Sequence, residues 1–253
     1  MVMKMAMDNT VLIPYISALM KKLAARIFSF LFLGLFAAPG YSHGDDSHLI
    51  DLKKLTRPSR KKIVKMGFDT YTRYDQFETS VQGPISPDEY NYNHMVFEID
   101  RSLSDVWSAY LSSSPKSSWS GKGLLFDFAY SKRDQKIYYR DGEVPNMHEG
   151  MGVFIVLKIF NLMKITAAME ITKIDEATHT IEYTYLKKNS SNGRQIIQLS
   201  DSGNGTTRLV HDTYFKSSSR LRDRIYPKPH EDLVAQLHQN VMDVIHANLH
   251  RVE

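Results

Sequence analysis

From about residue 94 to residue 217 the chain repeatedly alternates apolar and polar positions with the two-residue period of a β-strand. In "HMVFEID", Met95, Phe97 and Ile99 alternate with Val96, Glu98 and Asp100. Leu124, Phe126, Phe128 and Tyr130 alternate next, followed by "KIYYR", and "EGMG" precedes the run "VFIVLKIF". Ile165, Ala167, Met169 and Ile171 form a further strand, and Ile181, Tyr183 and Tyr185 another. "DEATH", "NSSNG" and "DSGNG" punctuate the rest as turns, before "RQIIQLS" and "TTRLVHDTYF". Turns at such short intervals predict an antiparallel meander. Glu170 and Glu182 fall on the polar side of their strands, where solvated carboxylates are expected.

Two places break the strand period. After the first strand, Ser102 stands three residues before Asp105, a helix-capping pattern, and Val106, Trp107, Tyr110 and Leu111 form the apolar side of a short helix. A second short turn follows around Pro115 to Trp119. After Pro227 and Pro229, "HEDLVAQLHQNVMDVIHANLHRV" carries Val234, Leu237, Val241, Ile245, Asn248 and Val252 on one arc, flanked by Leu233 and Val244. That is one long helix with a single apolar stripe to pack on the sheet.

A strand, two short helices, an antiparallel meander and one long C-terminal helix resemble the helix-grip fold of the START-like (SRPBCC) superfamily. The superfamily includes lipid-transfer domains and polyketide cyclases. "FEIDRSLSDVWSAYL", Pro115 with Trp119, and "GNGTTRLVHDTYF" are the local echoes, and the resemblance spans roughly residues 93–250. It implies an α+β fold, with a curved antiparallel sheet wrapped around the C-terminal helix and a cavity between them. Phe97, Phe126, Phe128, Met169, Tyr183 and Tyr185 would line that cavity from the sheet, with Leu209 and His211. Leu237, His238 and Val241 would close it from the helix. The superfamily has no universal catalytic motif to carry over.

Composition changes the picture mainly at the front. The 253 residues are 42% hydrophobic and 24% charged, ordinary for a globular chain, with a formal charge of +4. Lys4, Lys21, Lys22 and Arg26 against Asp8 place much of that excess in residues 1–42, leaving 28 basic against 27 acidic groups beyond them. Nucleic acid is therefore not an expected partner. From Met20, a cationic start, an apolar run from Ile27 to Ala38 and small residues at Gly40 and Ser42 make a secretory signal pattern. Its apolar run is shorter than the roughly 20 residues a membrane span needs. The expectation is a signal at residues 20–42, cleaved near Ser42, with residues 1–19 belonging to an upstream start, and a bacterial periplasmic location. A retained membrane anchor is the competing reading.

The expected domain spans residues 93–253, and residues 43–92 read as a basic linker or extension. Within it, Lys53, Lys54, Arg57, Arg60, Lys61, Lys62 and Lys65 crowd around Pro58. A solvated linker is one reading of that stretch, and transient contact with an anionic membrane surface is the other.

Candidate chemistry centres on histidine. His211 falls among the inward positions of its strand, while His230 and His238 lie on or beside the apolar arc of the last helix. Such a cluster could orient a ligand headgroup or supply an acid–base pair, His211 with His238, for a cyclase- or hydrolase-type enzyme. Each imidazole could equally be a satisfied core residue. His246 and His250, four apart, fit a solvated helix end. Arg220, Arg222 and Arg224 could clamp an anion at the cavity mouth or form a solvated hinge. The chain has no cysteine, which excludes disulfides, thiol catalysis and cysteine-held metals. No Gly-x-Ser-x-Gly, phosphate-loop or His-Glu-x-x-His motif occurs, and no cofactor or metal is expected. The leading expectation is an exported protein that binds a hydrophobic or amphipathic small molecule, such as a lipid, without catalysis.

Overall fold

Each run of alternating residues forms a strand, and short turns force neighbours in sequence to become neighbours in the sheet. The computed structural model describes residues 48–159, 163–217, 219 and 227–249, with the backbone alone described at 159, 163 and 246–249. The segment read as an export signal lies outside them. The strands are β1 (Asn91–Ile99), β2 (Leu124–Ser131), β3 (Lys136–Tyr139), β4 (Met151–Ile159), β5 (Met163–Asp175), β6 (Thr180–Tyr185), β7 (Ser191–Gly203) and β8 (Thr206–Ser217). They form one antiparallel sheet in the order β1-β8-β7-β6-β5-β4-β2-β3. The tightest turn joins β7 to β8, where Asn204 and Gly205 have φ of 55° and 73°. Positive φ at both central residues gives the turn whose twist suits a hairpin. At Gly193 (φ 129°) an added Cβ would collide with the backbone carbonyl of Tyr214 on β8.

Among the described residues the α-helices are α1 (Arg57–Met66), α2 (Leu103–Ser112), α3 (Pro115–Ser118) and α4 (Pro227–Leu249). Ser102 caps α2 by accepting the Asp105 N–H at 3.2 Å, as the spacing predicts. The apolar stripe of α4 is buried at Leu233, Val234, Leu237, Val241 and Met242. It covers the inner face of the sheet, where Met95, Phe97, Ile197, Leu199 and Leu209 are also buried.

The outer face holds a second core that the sequence did not announce. Ile63, Met66, Phe68 and Phe77 are buried there against Phe128, Tyr130, Phe154, Ala168 and Leu186. Phe77 stacks on Tyr130 with ring centroids 4.2 Å apart. Each such side chain is worth about 1.5–3 kcal/mol on burial, a contribution no solvated linker receives. The expected linker is thus corrected: the stretch from Leu49 to Val81 is a folded layer, because its sparse apolar residues fall on one side of α1 and the turns after it. Thr79 also bridges Leu186, and the Ser80 N–H donates to the Tyr185 carbonyl at 2.7 Å.

Asp127 ties that layer down. Wholly buried, its carboxylate accepts the Thr56 hydroxyl at 2.7 Å and the Thr56 N–H at 3.2 Å, at the mouth of α1. A carboxylate suits the partial positive charge of a helix N-terminus. It reaches there because the β2–β4 register slips between Phe126 and Phe128. Phe126 pairs with Ile155 and Phe128 with Phe154, so the two rings point to opposite faces. Phe128 therefore does not line the inner face as expected. It stacks on Phe154 at 4.1 Å in the outer core.

Glu170 is a further correction. It is buried, not solvated, because the outer layer covers its strand. It accepts the Tyr130 hydroxyl at 2.5 Å and pairs with Lys132 at 2.8 Å.

Candidate functional site

Register and helix phase together place His211 opposite His238. On β8, Thr207, Leu209, His211, Thr213 and Phe215 are the buried alternate positions. Leu237 and His238 sit one turn before Val241 on the buried stripe of α4. His211 Nδ1 and His238 Nε2 are 2.9 Å apart, and both rings are wholly buried.

The pair belongs to a longer chain of hydrogen bonds whose direction is set at one end. The Gln195 amide nitrogen donates to Tyr185 Oη at 2.8 Å, and its oxygen accepts His211 Nε2–H at 3.0 Å. His211 Nδ1 is then an acceptor, so His238 donates through Nε2 and accepts through Nδ1. The Tyr110 hydroxyl on α2 donates to that Nδ1 at 2.5 Å. Tyr110, His238, His211, Gln195 and Tyr185 thus link α2, α4, β8, β7 and β6 with no formal charge. Phe97 packs against His238 with ring centroids 5.0 Å apart.

Burial holds these imidazoles neutral. Desolvation, with smaller contributions from His238 and His230, pushes His211 well below its ordinary value. Desolvation brings His230 down to about 4 and, with help from His230, brings His238 down to about 3. Burial likewise raises the Tyr110 and Tyr183 phenols, so they too stay neutral. His230, at the start of α4, accepts from the Asn93 amide at 3.4 Å and stands edge-on to His211, centroids 6.1 Å apart. Among the described residues no group of three His, Cys, Asp or Glu side chains is arranged to hold a metal ion.

Of the expected lining, Phe97, Phe126, Met169, Tyr183, Tyr185, Leu209, His211, Leu237, His238 and Val241 are all buried. Met169 approaches the Gln195 amide, its sulfur 3.9 Å from Nε2. Arg220, Arg222, Arg224, His250 and the side chain of His246 lie outside the described residues. Sequence reasoning missed Gln195 and Tyr110 as members of the chain. Gln195 shares its strand parity with Ile197 and Leu199, a usable sign of an inward amide. Tyr110 read as one more apolar helix position. Trp119 was also passed over. It is buried edge-to-face on Tyr183 at 6.0 Å, and Tyr183 Oη donates to Met147 Sδ at 3.0 Å.

The strand order, the two helices after β1 and the long helix closing the inner face make this a helix-grip α+β fold. No protein-family model matches the chain, and no curated protein matches it in sequence. Solved structures similar to it include norcoclaurine synthase from Thalictrum flavum, at 10% identity over 65% of this chain and 92% of that one, TM-score 0.46. A START superfamily protein from Mycobacterium smegmatis aligns at 10% identity over 62% of this chain and 97% of that one, TM-score 0.43. Ara h 8.0201 aligns at 11% identity over 62% and 98%, TM-score 0.42.

Proposed function

We propose that this is an exported protein that binds a hydrophobic or amphipathic small molecule between the inner sheet face and α4. The observation that supports this reading is the uncharged Tyr110–His238–His211–Gln195–Tyr185 chain set among aromatic and aliphatic side chains. In binding sites of this kind a few polar groups in an apolar enclosure orient the ligand. Catalysis by His211 and His238 is the weaker reading. An imidazole brought down to about 3 is a poor base near neutrality, and both ring nitrogens of each histidine already have partners.

Native mass spectrometry of the mature protein tests the binding reading. A co-purifying apolar molecule, lost from His238→Ala, is the expected result; a mass equal to the bare chain at every collision energy would count against it. Export rests on the cationic, apolar and small-residue sequence of residues 20–42. N-terminal sequencing of protein from a periplasmic fraction should begin near His43, and recovery from the cytoplasm with Met20 intact would contradict it.

Contact with an anionic lipid surface is the accompanying proposal. Arg57, Arg60, Lys61 and Lys65 are exposed on α1 beside Val64, and none of the four pairs with a carboxylate among the described residues. Co-sedimentation with phosphatidylglycerol vesicles should exceed that with phosphatidylcholine and fall with added salt. Equal binding to both would remove this part of the proposal.

A further inference from the structure

We propose that the molecule held at the inner face is uncharged wherever the protein encloses it, and that it carries a hydrogen-bond acceptor for the Trp119 indole. This rests on the binding reading above and narrows it to a ligand class. Two independent features support it: the distribution of buried charge, and the buried polar atoms left without partners.

Among the described residues only two carboxylates are buried, Asp127 and Glu170, and no lysine or arginine is. Both carboxylates serve the outer layer, Asp127 through Thr56 and Glu170 through Tyr130 and Lys132. The polar groups facing inward are imidazoles, phenols, an amide and hydroxyls. Of the titratable ones, His211, His230, His238, Tyr110 and Tyr183 are held neutral by burial. A carboxylate or phosphate drawn in among them would lose its hydration and meet no cation, which disfavours it strongly.

The second feature concerns unmet hydrogen bonds. Trp119 Nε1 is buried and finds no acceptor among the described residues. Indole N–H can only donate, so what satisfies it must accept. The Thr213 hydroxyl, two residues beyond His211 on the same face of β8, is buried and likewise without a partner there. Tyr183, against whose ring Trp119 stands, has the weakly accepting sulfur of Met147 as its hydroxyl's partner. Buried polar groups in native folds are nearly always satisfied, and a carbonyl, ether or hydroxyl oxygen on an apolar ligand would satisfy these. Long-chain alcohols, esters and ketones fit this chemistry, and free fatty acids and phospholipid headgroups do not.

Wild-type protein titrated at pH 8 with dodecanol, methyl dodecanoate and dodecanoate, below their micellar concentrations, separates the possibilities. Trp107→Phe leaves Trp119 as the fluorescent reporter. The two neutral probes should bind at least about tenfold more tightly than dodecanoate and shift Trp119 emission. Trp119→Phe should weaken the neutral probes and bring their affinities toward that of dodecane. Dodecanoate binding as tightly as dodecanol would overturn this inference while leaving the binding reading intact. Binding of none of the probes would remove both.

Discussion

His238 on α4 donates from Nε2 to Nδ1 of His211 on β8 across 2.9 Å, joining the C-terminal helix to the strand beside the sheet edge. His230, near the start of the same helix, adds a second buried contact, its ring edge-on to His211 with centroids 6.1 Å apart. The pair makes the sheet–helix contact sensitive both to truncation and to acid.

Truncating His238 should be costly. His238→Ala opens a cavity and strands the Tyr110 hydroxyl and His211 Nδ1, so a loss of about 3–5 kcal/mol is expected in urea unfolding. Tyr110→Phe keeps the ring and removes one donor, at about 1–2 kcal/mol. Combining Tyr110→Phe with His211→Ala tests whether the chain acts as a unit. Strictly additive losses would show that it does not.

Acid should weaken the fold before its carboxylates titrate. A histidine kept neutral in the fold but free to protonate when unfolded stabilises the fold fully above pH 6.5. That stability is lost as pH falls from 6.5 toward the folded value, because only the unfolded state takes up the proton. For His230 and His238 the window runs down to about 4 and about 3 respectively, and His211 acts in the same direction. By pH 5, His230 and His238 should each have cost roughly 2 kcal/mol, against a typical total of about 5–15 kcal/mol. The urea midpoint should fall steadily between pH 7 and pH 5. A flat profile would mean the three imidazoles are not held neutral.

Asp127 should govern the outer layer and not the inner one. Asp127→Ala leaves the Thr56 hydroxyl and N–H without their acceptor, an expected loss of about 2–3 kcal/mol. Hydrogen exchange should accelerate across Arg57–Met66 while β7 and β8 keep their protection. Uniform acceleration would show that the two cores unfold as one.

Gly193→Ala should destabilise although it adds only a methyl group. The positive φ and the Tyr214 carbonyl both oppose a Cβ, so the expected cost is well above about 1 kcal/mol in thermal unfolding. Gly203→Ala is the control for backbone strain alone, since no atom lies within contact of its added Cβ. Equal losses at the two sites would rule out the collision as the cause.

Much of the fold is legible in the sequence because strand alternation, turn residues and the apolar stripe of α4 are local properties. The meander, the two helices after β1, the cap at Ser102 and the inward face of His211 all follow from spacing within a dozen residues. Even the outer layer left a trace, in Ile63, Met66, Phe68 and Phe77, but a cluster of basic residues around them reads equally well as a linker.

What the sequence determined, then, is the strands and helices from β1 onward and, away from the bulge, the side each residue presents within its own element. Tertiary structure decided what those sides meet. The bulge at Asp127 turned Phe128 outward, and the slip is invisible to a two-residue period because it needs the partner strand to define it. Packing of α1 onto β4 and β5 converted a basic stretch into a second core and made Glu170 a buried residue. The chain from Tyr110 through two histidines to Tyr185 required five elements to converge. Hydrogen bonds form between groups about 3 Å apart, and residues more than a hundred positions apart reach that distance only once the sheet has curled around the helix.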